Sequence, residues 1–377
     1  MKNLKSQFKL IIYLFLFLST SNITLAKNLD KFYNTKDVSN YFSGILSIND
    51  NQYEKSYTHL RSLKNLEDSH YNYSQYYQYS LVSLGKFKDA TDFSKKLKDK
   101  NLDNFESNLI SAVYYIKNKD YVHASIYLKK IENKKEFNSI QNLISTSLNT
   151  WVNFKNITEL ETGISFLDTI PESFKNIKNI QKTFAHCYFN SPNTDAMFEE
   201  LTSNTNINYS RYNFFYANYL ISKNNEEKTK KVIQTSLDQY PKNLILNQLK
   251  VDFEKRKLSN NKFDCKNLAD VIAEILYITS NALAVQNNYM ISNFYLNMAK
   301  YLNPNFVSYN ALYAENFVLI QDYKKAIKIY NEMKKKGSVY SWHASKQISL
   351  ILIKQKKKED AINSLKKSFE KIVNPTI

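Results

Sequence analysis

The chain has 377 residues, of which 43% are hydrophobic, and its formal net charge is +17. Only four glycines and five prolines occur, which excludes turn-rich β folds and glycine-rich phosphate-binding loops and favours an almost wholly helical protein. The excess of basic over acidic residues indicates acidic partners, or a lysine-rich solvated surface without a binding role.

The first 26 residues have the three parts of a secretory signal. A basic start with three lysines precedes the apolar run LIIYLFLFL, whose nine residues are too few to cross a hydrocarbon core of ~30 Å as a helix. A polar stretch then ends at Ala26, a small residue of the kind that precedes a cleavage site. We expect cleavage after Ala26 and export to the periplasm or beyond, which argues against nucleic acid as a partner. An uncleaved N-terminal anchor is the alternative.

Residues 70–90, HYNYSQYYQYSLVSLGKFKDA, have five tyrosines in their first ten positions and predict a packed helix. Tyr73, Tyr77, Leu81 and Leu84 recur at i, i+4, i+8 and i+11, which is one helical stripe. We therefore interpret the tyrosines as core residues, and neither as a stacking platform for bases nor as a disordered tract.

A repeat of 34 or 35 residues follows from the spacing of small residues. These are Ser56, Ala90 and Ala124 near the N-terminus and Ser292, Ala326 and Ala361 near the C-terminus. In the first three repeats an aromatic residue stands three positions earlier, and a proline follows twelve residues after Thr229 and after Ser292. The middle of the chain is divergent, and Thr158 and Ala196 are the candidate small residues there.

These blocks resemble tetratricopeptide repeats, each of which is an antiparallel helix pair. The resemblance covers most of the chain after the signal, although Tyr, Asn or Ser often replaces the apolar residues of the first helix. The C-terminal part is most similar to tetratricopeptide proteins with signal peptides from Gram-negative bacteria. The resemblance implies an all-α fold, a right-handed superhelical solenoid of antiparallel helix pairs with about nine or ten units.

The register divides the chain into four segments. Residues 1–26 are the signal peptide, and 27–256 form an N-terminal array that is divergent in the middle. Thr229 and Ser292 are 63 residues apart, five short of two periods, so 257–266 are predicted to be a connecting loop. Residues 267–377 form a C-terminal array, in which the apolar stretch Leu268 to Val285 contains polar breaks and is expected to be a buried helix.

The resemblance also implies where a partner would bind. In the family the first helices line a concave groove, and the groove positions carry over by counting back from each small residue. They are Asn72, Gln75, Tyr79, Arg211, Phe214, Asn218, Glu274, Tyr277 and Asn281. Their amide and aromatic side chains suit hydrogen bonds and apolar contacts with a peptide.

The sequence contains no recognisable catalytic or metal-binding motif. The five histidines have no pair at i, i+3 or i, i+4, and neither a G-x-S-x-G nor an S-x-x-K motif stands out. We therefore expect no catalytic residues, no metal and no cofactor. Cys187 and Cys265 lack a C-x-x-C pattern, and whether they form a disulfide is left open.

Three functional hypotheses follow. The first is a non-catalytic exported scaffold that binds a protein or peptide partner in its groove, in cell-envelope assembly or maintenance. The second is an accessory factor or degenerate enzyme acting on cell-wall glycan. The third is a basic surface that contacts anionic membrane or glycan weakly.

Overall fold

The computed structural model describes residues 35–63, 66–68, 70–132, 137–203, 208–257 and 261–370. The predicted signal peptide and its cleavage site lie outside these residues. All regular secondary structure in the described ranges is helical. The α-helices are α1 (Thr35–Asn49), α2 (Tyr53–Leu60), α3 (Tyr71–Ser83), α4 (Phe87–Asp99), α5 (Phe105–Lys117), α6 (Tyr121–Lys130), α7 (Ser139–Asn153), α8 (Leu160–Asp168), α9 (Lys175–Tyr188), α10 (Thr194–Ser203), α11 (Ser210–Ser222), α12 (Glu226–Gln239), α13 (Leu244–Glu254), α14 (Leu268–Val285), α15 (Tyr289–Leu302), α16 (Ser308–Leu319), α17 (Tyr323–Met333), α18 (Ser338–Lys354) and α19 (Lys358–Phe369).

These helices form nine successive pairs in the described residues, and α13 stands alone between the sixth and the seventh pair. The two helices of each pair pack against each other. The predicted all-α, tetratricopeptide-like fold is confirmed, and nine pairs agree with the nine or ten units expected from the repeat.

The turns between paired helices explain how a chain with so few glycines makes so many sharp reversals. In seven pairs the residue five positions before the small residue has a positive φ, between 57° and 71°: Asn51, Gly85, Lys119, Asn224, Asn287, Gln321 and Lys356. A left-handed residue at this point ends the first helix and redirects the chain. Only Gly85 adopts it without steric cost, and asparagine is the residue that tolerates it next best.

The predicted small residues lie where paired helices approach most closely. Six of them, together with Thr229, are at most 2% exposed and stand at the fourth position of a second helix: Ser56, Ala90, Ala124, Thr229, Ser292, Ala326 and Ala361. The prediction was wrong in the divergent middle, because Thr158 and Ala196 are exposed. In the fourth pair Gly163 has this role, where a Cβ would lie 2.9 Å from the ring of Phe189.

The tyrosine-rich stretch forms α3, as predicted. Tyr73 is buried, Leu81 is fully buried and Tyr77 is half-buried between the rings of Tyr57 and Phe93. The buried-helix prediction for Leu268 to Val285 is also confirmed. In the described residues this is the one helix whose length and composition would suit a membrane span, and 72% of it is buried inside the protein.

The two arrays share one hydrophobic core, because the first two helices of the C-terminal array pack against helices of the N-terminal array. Helices α14 and α15 pack against the first helices α3, α5 and α7 of the N-terminal pairs. Phe87 stacks on Tyr301 at 3.9 Å between ring centroids, and the Lys117 ammonium donates to the Leu302 carbonyl at 2.9 Å. The concave face of the N-terminal array is therefore filled by the chain itself.

Residues between the two arrays contact both of them. Within the described residues no second helix follows α13, which packs beside α18, where the Val339 backbone N–H donates to the buried Gln248 amide oxygen at 3.0 Å. The predicted loop, 257–266, falls between α13 and α14 in the sequence, and its residues 258–260 lie outside the described residues. Cys265 in this segment forms a disulfide with Cys187 on α9, with the Cα atoms 6.0 Å apart.

Candidate functional site

The predicted groove residues of the second pair face the chain's own helices. Tyr79 is 3% exposed and packs on Phe294 of α15, with the ring centroids 4.5 Å apart. The Gln75 amide donates to the Tyr79 hydroxyl and to the Glu106 carboxylate, each at 3.3 Å. Asn72, at the start of α3, is exposed. An external ligand therefore cannot contact Tyr79 while α15 occupies the groove.

Arg211 and Glu274 form a buried ion pair between the two arrays. Two guanidinium nitrogens of Arg211 on α11 donate to the two carboxylate oxygens of Glu274 on α14, at 2.6 and 2.7 Å. A third donates to the Ser308 hydroxyl at 2.9 Å, and Tyr277 lies under the guanidinium at 4.0 Å from ring centroid to Cζ. This bidentate, aromatic-covered geometry fixes the position of α14 against α11.

Burial and mutual contact shift the pKa values of both members of this pair. The Glu274 side chain is fully buried, and desolvation raises the pKa of its carboxyl although Arg211 opposes the shift. Burial alone would lower the pKa of Arg211, but the Glu274 carboxylate outweighs it, so the pKa of the guanidinium lies above its usual range. Each group therefore favours the charged form of the other and opposes the desolvation that its partner undergoes on burial.

The other predicted groove residues divide between the core and the surface. Phe214 is fully buried against Phe306, with 5.7 Å between the ring centroids. Asn218 is half-buried, donates to the Phe214 carbonyl at 2.8 Å and lines a cleft. Asn281, near the end of α14, is exposed. Partner binding by the nine residues stays a prediction, and among them Asn281 lies on a face that the described residues leave open.

The first helices of the last three pairs present this open face. Four large aliphatic side chains on it are exposed: Val285 (77%), Leu319 (57%), Leu350 (52%) and Ile353 (53%). The exposed residues Asn281 and Glu315 lie on the same helices, one turn before Val285 and Leu319. We call these six residues the C-terminal open face.

The repeat places two of these side chains at equivalent positions of successive first helices. Val285 and Leu319 stand seven residues before Ser292 and Ala326, at the C-terminal ends of α14 and α16, whereas the equivalent residue of α18 is Lys354, directly after Ile353. In the N-terminal pairs the residues seven before the small residue are polar: Asn49, Ser83 and Lys117. In the C-terminal array two of the three equivalent residues, Val285 and Leu319, are aliphatic, and this change from polar to aliphatic is the signal by which the sequence could have revealed them.

A second concavity lies where the repeat is interrupted. It is a cleft of ≈ 1190 Å³ between α11, α12, α13 and the segment that follows α13. Its rim carries charges of both signs, including Lys230, Glu226 and Arg256, and Asp270 lies in its wall. Burial raises the pKa of Asp270 from its ordinary value to about 7.

The described residues contain no group of three or more His, Cys, Asp or Glu side chains placed to hold a metal ion. His186 donates to or accepts from the Ser191 hydroxyl at 3.0 Å, and its neighbour Cys187 is in the disulfide. A Cys–His nucleophile is therefore not assembled at this position.

No protein-family model matches the chain, and no curated protein is significantly similar to it. Among solved structures, the chain is similar to the Cut9–Hcn1 hetero-tetramer of the APC/C, with 12% identity over 93% of this chain and 75% of that chain and a TM-score of 0.34. It is also similar to the TPR domain of P58(IPK), with 13% identity over 90% and 94% of the two chains and a TM-score of 0.25. Yeast Tom70 has 11% identity over 90% and 92% and a TM-score of 0.25. At these scores the likeness carries no inference about partners.

Proposed function

We propose that the protein is a non-catalytic, exported scaffold that binds a segment of a partner protein on the C-terminal open face. The observation that carries this proposal is the set of four exposed aliphatic side chains on the first helices of the last three pairs, of which Val285 and Leu319 stand at equivalent repeat positions. Contiguous exposed apolar surface is costly in a soluble protein and commonly marks an interaction site. The same proposal includes a role for this binding in cell-envelope assembly or maintenance.

The occupancy of the N-terminal groove favours this face over the groove residues predicted from the repeat. In the second and third pairs, the residues eleven before the small residue are Tyr79 and Val113, which are 3% and 0% exposed. The equivalent residues of the last three pairs are Asn281, Glu315 and Leu350, and all are exposed. The same repeat position is therefore covered in one array and available in the other.

Two observations support export. The first 26 residues have the composition of a secretory signal. The Cys187–Cys265 disulfide fits an oxidising compartment, since such bonds rarely persist in the cytosol of mesophiles. N-terminal sequencing of the mature protein tests the proposal, which expects Lys27 as the first residue. A mature chain that still begins at Met1 would contradict cleavage.

Photo-crosslinking tests the binding face. We would place p-benzoylphenylalanine at Leu319 in cells, and at Val122 on α6 as the matched control, because Val122 is also an exposed aliphatic residue (74%) but belongs to a second helix. We expect a discrete protein adduct from Leu319 alone. A second substitution, Val285→Glu, should reduce the adduct at Leu319 by about tenfold, whereas Val122→Glu should not.

Other outcomes favour the alternatives. Equal labelling from Leu319 and Val122, or an adduct that Val285→Glu leaves unchanged, would refute the open face as the binding site. Association with anionic vesicles that rising salt abolishes would favour the basic-surface hypothesis. Turnover of peptidoglycan by the purified protein would refute the non-catalytic assignment.

A further inference from the structure

We infer that two copies of the chain associate head to tail, with α1 of one copy packed against α19 of the other. This inference does not rest on the proposed function, because it concerns the two ends of the described array and not the C-terminal open face. It follows from the contacts that join consecutive helix pairs within the chain, and from the side chains that α1 and α19 present at the same repeat positions.

Helix α1 has an apolar stripe on its exposed side. Val38, Phe42 and Leu46 recur at i, i+4 and i+8 and are 41%, 59% and 64% exposed. The terminal helices of a repeat array need a polar outer face to keep the end of the array in solution. The exposed side of α1 is therefore a surface of the kind that repeats bury against each other.

Contacts inside the chain show the role of the Leu46 position, which lies ten residues before the small residue of a pair. Wherever one described pair directly follows another, the second helix of the earlier pair packs against the first helix of the later pair. Ser80 of α3 stands at this position and donates to the Ser56 hydroxyl of the preceding pair at 2.9 Å. Asn316 of α16 donates to the Ser292 hydroxyl in the same way, also at 2.9 Å. This position therefore contacts the preceding pair.

The Phe42 position, fourteen residues before the small residue, also contacts the preceding pair. Asn149 of α7 stands there and donates to the Leu128 carbonyl of α6 at 3.3 Å. Phe215 of α11 packs edge-on against Phe184 of α9, with 5.5 Å between the ring centroids. No pair precedes α1 in the described residues, so α1 exposes the first-helix half of such a junction.

Helix α19 exposes the other half of the junction. Tyr57 of α2 stands one residue after the small residue of its pair and stacks on Tyr77 of the next pair, with 6.1 Å between the ring centroids. Ile362 occupies this position on α19 and is 43% exposed. Leu365 follows at the position whose carbonyl accepts from the next pair, and Phe369, which is 50% exposed, extends the stripe by one more turn. A second copy therefore supplies at each end the half of the junction that the other end lacks.

The charges of the two surfaces are compatible with this contact. Ser39 and Ser43, beside the α1 stripe, carry no charge. Lys366 of α19 stands five residues after the small residue, and at the equivalent position the Lys95 ammonium of α4 lies over the Tyr115 ring of the next pair, 5.9 Å from its centroid. The other charged side chains of α1 and α19 are three bases and three acids: Lys36, Lys358, Lys367, Asp37, Glu359 and Asp360. Because the formal charge of +17 repels two copies over longer distances, rising salt should strengthen the association.

Two variants that each disable one end test the inference. The protein is produced from its complete sequence, and its association is followed by sedimentation velocity between about 1 and about 200 µM, where small interfaces dissociate. The parent protein should form dimers and larger assemblies as its concentration rises. Phe42→Glu and Ile362→Glu should each raise the dissociation constant at least about tenfold, and Val122→Glu on α6 should leave it unchanged. An equimolar mixture of Phe42→Glu and Ile362→Glu should form dimers and nothing larger, because each variant retains the end that the other has lost.

Crosslinking in the otherwise unchanged protein identifies the contact without a charged substitution. p-Benzoylphenylalanine is placed at Phe42, and isotope-labelled and unlabelled copies are mixed before irradiation. We expect adducts between a labelled and an unlabelled copy, with the crosslinked residue in α19. Far-UV circular dichroism of each charged variant separates loss of association from loss of folding.

Other outcomes overturn the inference. A parent protein that sediments as a monomer throughout the range would do so, as would association that Ile362→Glu leaves unchanged. Crosslinks from Phe42 to α1 of a second copy would show a symmetric contact instead. Crosslinks to residues 27–34 of the same copy, or to a different protein, would show that another occupant covers α1. The probe at Leu319 tests the proposed function separately, so either proposal can fail alone.

Discussion

The buried pair of Arg211 and Glu274 gives the sharpest prediction, because the two residues should not be equivalent when either is removed. Glu274→Gln leaves a guanidinium that cannot lose its proton and is still surrounded by aromatic rings. Arg211→Met leaves a carboxylate that can escape its unfavourable burial by taking up a proton. Removing one partner of a buried pair typically costs about 3–5 kcal/mol.

The difference between the variants should depend on pH. Burial raises the pKa of Glu274 in the folded protein above its usual value, and without Arg211 the smaller effect of the Tyr309 hydroxyl is left to oppose that shift. The folded Arg211→Met protein then binds a proton that the unfolded chain releases, so its stability falls as the pH rises above the unfolded pKa. We expect a cost of about 3–5 kcal/mol for both variants at pH 8. As the pH is lowered from 8 to 5, the cost of Arg211→Met should decrease by up to about 1.4 kcal/mol for each pH unit. The cost of Glu274→Gln should not decrease over the same range.

Urea unfolding followed by far-UV circular dichroism at pH 5 and pH 8 measures these costs, and amide hydrogen exchange in α14 reports whether the loss is local. The double variant Arg211→Met/Glu274→Leu is the control, because it removes both charges and should recover most of the lost stability. The reasoning is refuted if both single variants stay within about 1 kcal/mol of the parent protein, or if their costs have the same pH dependence.

Three further changes have defined outcomes. Gly163→Ala should destabilise the protein by about 1 kcal/mol in thermal or urea unfolding, because the new Cβ would meet the Phe189 ring at 2.9 Å and this strain exceeds the gain in helix propensity. Asp270→Asn should remove a loss of stability of about 2–4 kcal/mol that the parent protein shows between pH 4 and pH 7, because burial raises the pKa of this carboxyl to about 7 and the folded state binds the extra proton. Cys187→Ser/Cys265→Ser should lower stability by about 2–4 kcal/mol and make the unfolding midpoint independent of reductant, since the bond closes a loop across a sequence separation of 78 residues.

Each of these expectations has a contrary result. A stabilised Gly163→Ala protein would mean that the ring of Phe189 moves without cost. Parallel pH profiles for the parent and Asp270→Asn would show that this carboxyl titrates alike in the folded and unfolded chain. A parent protein that reductant does not affect would show that Cys187 and Cys265 are not bonded.

The helix pairs and their register could be predicted from the sequence because they depend on local spacing. The small residues Ala90, Ala124 and Ala326 mark helix crossings that only a small side chain permits, and their 34-residue repeat is visible without any tertiary contact. The buried character of Leu268 to Val285 followed in the same way from polar residues within an apolar stretch. In the middle the prediction failed at Thr158, because the contact is made by Gly163 after a longer connection that the repeat length does not reveal.

Only the tertiary structure decided which groove is open. Counting along the repeat placed Tyr79, Arg211 and Glu274 on concave faces, but it could not show that α14, which carries Glu274, packs with α15 against the first helices of the N-terminal pairs. That arrangement depends on contacts between residues far apart in sequence, such as the ion pair of Arg211 with Glu274, 63 positions later. Repeat positions specify the direction of a side chain relative to its own helix pair, whereas its exposure depends on how the two arrays pack. For this reason the exposed aliphatic residues Val285 and Leu319 lie outside the set of groove residues that the repeat predicted.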